Sequence, residues 1–260
     1  MDWSRTKTIF IVTFFCLNIF LGYQLYEKQQ QGEVSDLFEA TFSERLEASR
    51  IEIDIEDPDN TVEGAPITGT LRSFQENFFE GVLDRQEPVL LNETTLQSEL
   101  ESPYRLVGAN LTASVGAFLQ QYVYEGDQYE IAVFNEEEQY IGLYQTYKGR
   151  KIDQYERNDF HLILYISEDF EVERYVQNYM SISEQESREQ ELLSPSKAIE
   201  SLLDANQIRP DTTISEAQLG YYSTIQLEAN FQVYAPVWRI KANDEYYFVD
   251  ALNGEVQSVS

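Results

Sequence analysis

The chain reads as an α+β protein: a single N-terminal transmembrane helix, then an extracellular region of two helix-plus-antiparallel-sheet units. Three observations predict this. Residues 9–26 are an 18-residue run without a charge. Later segments alternate apolar and polar residues with a period of two, as half-buried strands do. The order helix, strands, acidic turn, strand occurs before residue 183 and again after 193.

The run comes first. At ~1.5 Å per residue it spans roughly 27 Å as a helix, close to the roughly 30 Å hydrocarbon core of a bilayer. A cleaved signal peptide needs small residues at its exit. Here the exit is "GYQLYEKQQQ", with bulky Tyr23, Leu25 and Tyr26. Cys16 lies inside the run with more apolar residues to follow, so it reads as a buried thiol rather than a lipid attachment site. The segment is therefore an uncleaved anchor. Arg5 and Lys7 precede it and Lys28 alone closely follows. The positive-inside rule puts residues 1–8 in the cytoplasm and everything after the helix outside.

The exported part is acidic. The whole chain has 18 Lys and Arg against 46 Asp and Glu. Residues 1–28 hold three basic and two acidic residues, so 15 against 44 remain beyond them, a formal charge of −29. Such a surface repels nucleic acid and anionic lipid headgroups. Cys16 is the single cysteine, so no disulfide holds the exported region together, and a bacterial setting fits best. High Tyr and Phe content at alternating positions speaks for a folded domain rather than an acidic tail.

The elements follow in order. Residues 27–110 form a stalk and a first α+β segment. In it "QQQGEVSDLFEATFSERLEA" has helical spacing, and "RIEIDIEDPDN" alternates Ile51, Ile53 and Ile55 with acids as a half-exposed strand. The acids Asp54, Glu56, Asp57 and Asp59 lack the spacing of a calcium loop, with Pro58 and Asp59 where an oxygen ligand and a glycine belong. "SFQENFFEGVL" and "NETTLQSELES" read as short helices.

Residues 111–182 form the first unit. Its helix carries Val115, Phe118, Leu119 and Tyr122 on one face, and an antiparallel meander follows from "YEIAVF" to "FEVERYVQNYM". Residues 183–193, charged and aperiodic, are a linker. Residues 194–260 are the second unit, with Ser194 as N-cap, Pro195 in the first turn and Ile199, Leu202 and Leu203 on the apolar face. The units look related, "YISEDFEV" at 165–172 lying over "VDALNGEV" at 249–256.

Chemistry is sparse. His161 is the only histidine and sits in the strand "FHLILYI", which suits a hydrogen-bonded structural role. There is no exported cysteine, no G-x-S-x-G and no glycine-rich phosphate loop. With 46 acids, no one carboxylate pair is informative as a glycosidase signature. The reading is of a protein that is not an enzyme, with no catalytic residue, no cofactor and no metal site.

Two resemblances add to this. "PVWRIKANDEYYFVDALNGEVQSV" resembles the PepSY-type module of exported bacterial proteins, with Asn253-Gly254 as a tight hairpin turn and Asp250 bonding the turn backbone. "MDWSRTKTIFIVTFFCLNIFLGYQL" resembles the opening of the YycI (WalI) family of Gram-positive bacteria, in which a Met-Asp-Trp-Ser-basic-Thr-Lys-Thr start runs into the membrane helix. The resemblance implies a membrane accessory protein that acts with a YycH-like partner on the sensor histidine kinase WalK (YycG) of the cell-wall two-component system, its helix touching the kinase's own. It brings no catalytic or metal-binding residues.

The helix itself offers a docking face. Asn18 is a polar amide among apolar side chains, and helical spacing sets Ile11, Phe14, Phe15, Leu21, Gly22 and Leu25 on its side. Trp3, Arg5 and Lys7 suit the membrane–water interface. One competing expectation stays open: a tethered extracellular module that binds a peptide or inhibits an enzyme without any kinase.

Overall fold

A computed structural model describes residues 13–15, 17, 18, 20, 42–58, 61–75, 83–153, 160–184, 189–223 and 231–257. The chain divides into two compact units. One takes in residues up to Ile53 together with Ile208–Thr213; the other comprises Asp54–Gln207 and Ile214–Ser260.

In the first unit the described residues 13–15, 17, 18 and 20 are helical, and so is α1, residues 42–49. Strand β1, Glu52–Ile53, follows. Arg50 and Asp211 meet in a two-pronged ion pair, with Nη2 donating to Oδ2 at 2.7 Å. The Ser49 carbonyl accepts from the Asp211 N–H at 3.0 Å, and Phe42, Ile51 and Ile208 are buried. Among the described residues no helix is long and apolar enough to cross a membrane. The run 9–26 lies largely outside them.

The second unit is dominated by sheet. Its strands are β2 (Glu63–Gly64), β3 (Ile67–Leu71), β4 (Gln86–Asn92) and β5 (Thr95–Arg105), then helix α2 (Leu111–Tyr122). Next come β6 (Tyr129–Asn135), β7 (Tyr140–Tyr147), β8 (Arg150–Asp153), β9 (Leu162–Ile166), β10 (Glu171–Asn178), β11 (Met180–Glu184) and β12 (Gln190–Glu191). Helix α3 (Pro195–Asp204) and strands β13 (Thr213–Tyr222), β14 (Phe231–Ala242), β15 (Glu245–Asp250) and β16 (Val256–Gln257) complete it. The main path of the sheet is β11-β3-β14-β13-β8-β7-β9-β10-β5-β4, with β6 beside β7, β15 beside β14 and β16 beside β15.

Helix α2 followed by β6, β7, β9 and β10, and helix α3 followed by β13 to β16, share one order, a helix and then an antiparallel meander. They are not sealed from each other. Strand β3, from the segment before either, lies between β11 and β14. A short parallel pairing, Tyr221 with Ile152 and Tyr222 with Asp153, carries the sheet from one meander into the other. Within the expected linker, Gln190 and Glu191 pair with β2, and Leu192 is buried.

Local chemistry explains both helices. Asn110 caps α2 by accepting from the Ala113 N–H, and Ser194 caps α3 by accepting from the Lys197 N–H, each at 3.3 Å. Asp57, one of the acids near Pro58, accepts from the Ser196 N–H at 3.0 Å and so adds negative charge at the same helix start. The apolar face of α2 packs over the sheet, where Val115, Phe118 and Leu119 join Leu96, Ile141, Leu143, Leu162, Leu164 and Tyr175 in the main core. Smaller apolar groups gather at Ile67, Ile152, Met180, Tyr221 and Tyr234.

Two expectations are corrected. "NETTLQSELES" is a hairpin turn and strand, not a helix: Leu96 and Ser98 are fully buried on β5, which pairs with β4 on one side and β10 on the other. Leu96 and Leu100 stand four apart, a spacing that fits a helix face and one face of a strand equally. The pairing on both sides decides for the strand. Likewise Asn253-Gly254 is not a two-residue turn. Five residues, 251–255, link β15 to β16, and of that pair only Gly254 has a positive φ, +75°. Of "SFQENFFEGVL", residues 73–75 are not helical and 76–82 lie outside the described residues.

Candidate functional site

A hollow of about 260 Å³ opens on the sheet face formed by β8, β13, β14 and β15, with Glu130 of β6 beside it. Strand alternation builds it. Gln218, Gly220 and Tyr222 share one face of β13, and Val237 and Arg239 share one face of β14. Ladder partners align Gly220 with Val237, Gln218 with Arg239, and Arg239 with Phe248. The intervening residue Trp238 is buried and donates its indole N–H to the Leu193 carbonyl at 2.8 Å, next to the α3 cap.

The wall on β8 is set by a tight turn. Lys148 and Gly149 have φ of +49° and +73°, the pattern of a two-residue hairpin, and they fold Arg150 and Lys151 back along Tyr147 and Thr146. Gly220 lets β8 come close, since a Cβ there would stand 3.0 Å from the Lys151 carbonyl oxygen. Its missing side chain also leaves the hollow open between Gln218 and Tyr222. The rings of Tyr222 and Phe248 lie 5.2 Å apart as an aromatic wall, and Val237 is buried beneath.

Four charges line this space, two of each sign. The Lys151 ammonium is 3.1 Å from Glu130 Oε1 and donates to the Ile131 carbonyl at 3.1 Å. The Arg239 guanidinium donates to Gln218 Oε1 at 3.0 Å, stands 3.7 Å from Asp153 Oδ2 and lies 4.9 Å from the centre of the Tyr246 ring. Asp153 is the most enclosed of the four, its side chain 13% exposed. Burial pushes its carboxyl above the usual range, against the pull of Arg239, a Tyr144 hydrogen bond and Lys151. At 3.7 Å the Arg239–Asp153 contact is an ion pair rather than a hydrogen bond.

The sequence-predicted residues stand elsewhere. Phe14, Phe15 and Asn18 are helical, and the two rings are 67% and 65% exposed. The Asn18 amide donates to the Phe14 carbonyl at 2.8 Å, so one of its N–H groups bonds back to its own helix. Ile11, Leu21, Gly22, Leu25, Trp3, Arg5 and Lys7 lie outside the described residues. His161 is buried and neutral: its Nδ1 accepts from the Gln145 N–H at 3.0 Å, and burial holds its pKa down at about 4. Asp250 Oδ1 accepts from the Leu252 and Asn253 N–H groups, at 2.7 and 3.2 Å. Among the described residues no three His, Cys, Asp or Glu are placed to hold a metal ion.

Sequence reading did not find the hollow. Its charged residues, from Glu130 to Arg239, come from separate strands far apart in the chain, which no spacing rule links. The available signal was charge: in so acidic a chain "KGRK" at 148–151 and "RIK" at 239–241 concentrate basic residues.

The structure thus defines a mixed α+β, sheet-dominated domain with a small, charge-paired hollow. The chain belongs to the YycI family: the family model described as "YycI protein" matches residues 29–252. Membership makes it part of a regulatory accessory family of the YycG (WalK) two-component system. Among solved structures it is similar to an uncharacterized protein from Eubacterium rectale, at 14% identity and a TM-score of 0.49, over 81% of this chain and 90% of that one. No curated protein matches the chain.

Proposed function

We propose that this protein is a non-catalytic accessory protein, anchored by residues 9–26 with its N-terminus in the cytoplasm, that modulates WalK from outside a Gram-positive cell. It acts with a YycH-like partner, through contacts of its membrane helix and through its extracellular domain, whose C-terminal unit is PepSY-like. The observation that carries this reading is the family match over 29–252. The uncharged run before it supports the anchor, as do Phe14, Phe15, Leu17 and Phe20, large apolar side chains all more than half exposed on one short helical stretch. Lipid or neighbouring helices are the surroundings in which such a surface is stable. Deleting the protein should change WalK-dependent transcription, and the intact chain should restore it. Transcription unchanged by deletion would leave the kinase without this regulator.

A second reading, a tethered binding module independent of the kinase, has one observation in its favour. A hollow of about 260 Å³, lined by charges of both signs, opens among β8, β13, β14 and β15.

A further inference from the structure

We infer that the hollow formed by Lys151, Asp153, Gly220, Tyr222, Arg239 and Phe248 binds a small zwitterion with an apolar side chain, a free amino acid or a dipeptide. Three features of the site lead there. The first is size. About 260 Å³ falls just below the roughly 300–1,000 Å³ usual for small-molecule sites, so the guest is smaller than a nucleotide or an oligosaccharide.

Charge is the second feature. Two cations and two carboxylates cancel within the hollow, and the chain as a whole carries −28. A simple anion gains nothing from a neutral site and is repelled by the rest of the molecule. A simple cation meets Lys151 and Arg239. A zwitterion loses nothing by either count, because it exchanges partners with pairs already in place. Its carboxylate takes the Arg239 guanidinium, which the Asp153 carboxylate holds only at 3.7 Å. Its ammonium takes Glu130, whose side chain is 55% exposed and can swing from Lys151.

The third is the apolar lining. The Tyr222–Phe248 pair and Val237 make a wall on the side of Gly220, which has no side chain of its own to occupy the space. An apolar or aromatic side chain of the guest fits against it. The ligand site stands on the hollow alone, so it holds or fails independently of any action on WalK.

The test is calorimetric titration of the full chain in detergent with L-phenylalanine, with L-alanyl-L-phenylalanine, and with the same dipeptide acetylated at one end and amidated at the other. The expected result is binding of at least one zwitterion and a loss of roughly tenfold or more on capping. Which of the two uncapped probes binds more tightly separates the amino acid from the dipeptide. Arg239→Gln and Glu130→Gln should each weaken binding several-fold. Glu130 is exposed enough that its variant should melt like the parent, which keeps the comparison free of folding effects. Equal affinity for capped and uncapped probes, no binding of any probe at millimolar concentration, or full affinity in both variants would overturn the assignment.

Discussion

Gln145 holds the backbone of Met180 with both ends of its amide: Nε2 donates to the Met180 carbonyl at 2.9 Å and Oε1 accepts from the Met180 N–H at 2.8 Å. A side chain thus stands in for a neighbouring strand where the chain leaves β10 and starts β11, and Gln145 is fully buried. Leucine is near enough in size to fill the space but returns neither bond. Gln145→Leu should therefore leave a buried donor and acceptor without partners and destabilise the fold by about 2–4 kcal/mol. Urea unfolding, comparing midpoints at constant slope, measures this.

Gly254 presses against α3. Its φ is +75°, and a Cβ would stand 2.8 Å from Ser201 Oγ. Gly254→Ala should lower stability by about 1–2 kcal/mol from backbone strain, with a steric part added. A second change, Ser201→Ala, should recover only the steric part. Thermal melts of the parent, both single variants and the double variant separate the two.

His161 gives the fold a pH dependence of known sign. Its folded pKa, about 4, lies below the ordinary value of 6.5, and the cause is burial. Above pH 6.5 both folded and unfolded chains leave it neutral, and it contributes no slope. Between 6.5 and 4 the unfolded chain takes up the proton first, so stability falls as pH falls. The total is on the order of 3 kcal/mol for a group so buried. Carboxylates titrate in part of this window too, so the measurement is the difference in slope between the parent and His161→Gln, which should be flatter.

Asn18 carries the membrane prediction. Its bond to the Phe14 carbonyl engages one amide N–H and leaves a second N–H and the carbonyl oxygen outside that bond. Asn18→Leu should weaken association with the kinase or the YycH-like partner by roughly threefold to twentyfold, the range of interhelical polar bonds in membranes. Energy transfer between labelled proteins in bilayers reads it. Unchanged transfer would mean that the amide serves only its own helix.

The division between what could and could not be read in advance is physical. Caps and apolar faces are local, so Ser194, Val115, Phe118 and Ile199 marked their helices from spacing alone. Alternation marked β6, β7, β9 and β10 in the same way. The 165–172 and 249–256 turns were matched by sequence, and Phe170 and Gly254, aligned by that match, both have positive φ, +59° and +75°. Pairing between distant segments left no such trace. Nothing near Ile67–Leu71 announces that β3 will lie between β11 and β14. Lys151 and Arg239 line one hollow because Tyr221 pairs with Ile152. The family match also falls on 29–252, beyond the N-terminal residues whose motif first suggested it.

The most direct measurement is an exchange of residues 9–26 for an unrelated transmembrane helix of equal length, with WalK-dependent transcription compared with the parent and a deletion strain. If the membrane helix carries the signal, the exchanged protein should reach the membrane yet behave like the deletion. Transcription like the parent's would contradict this and make the segment a tether, with regulation residing in the acidic domain outside.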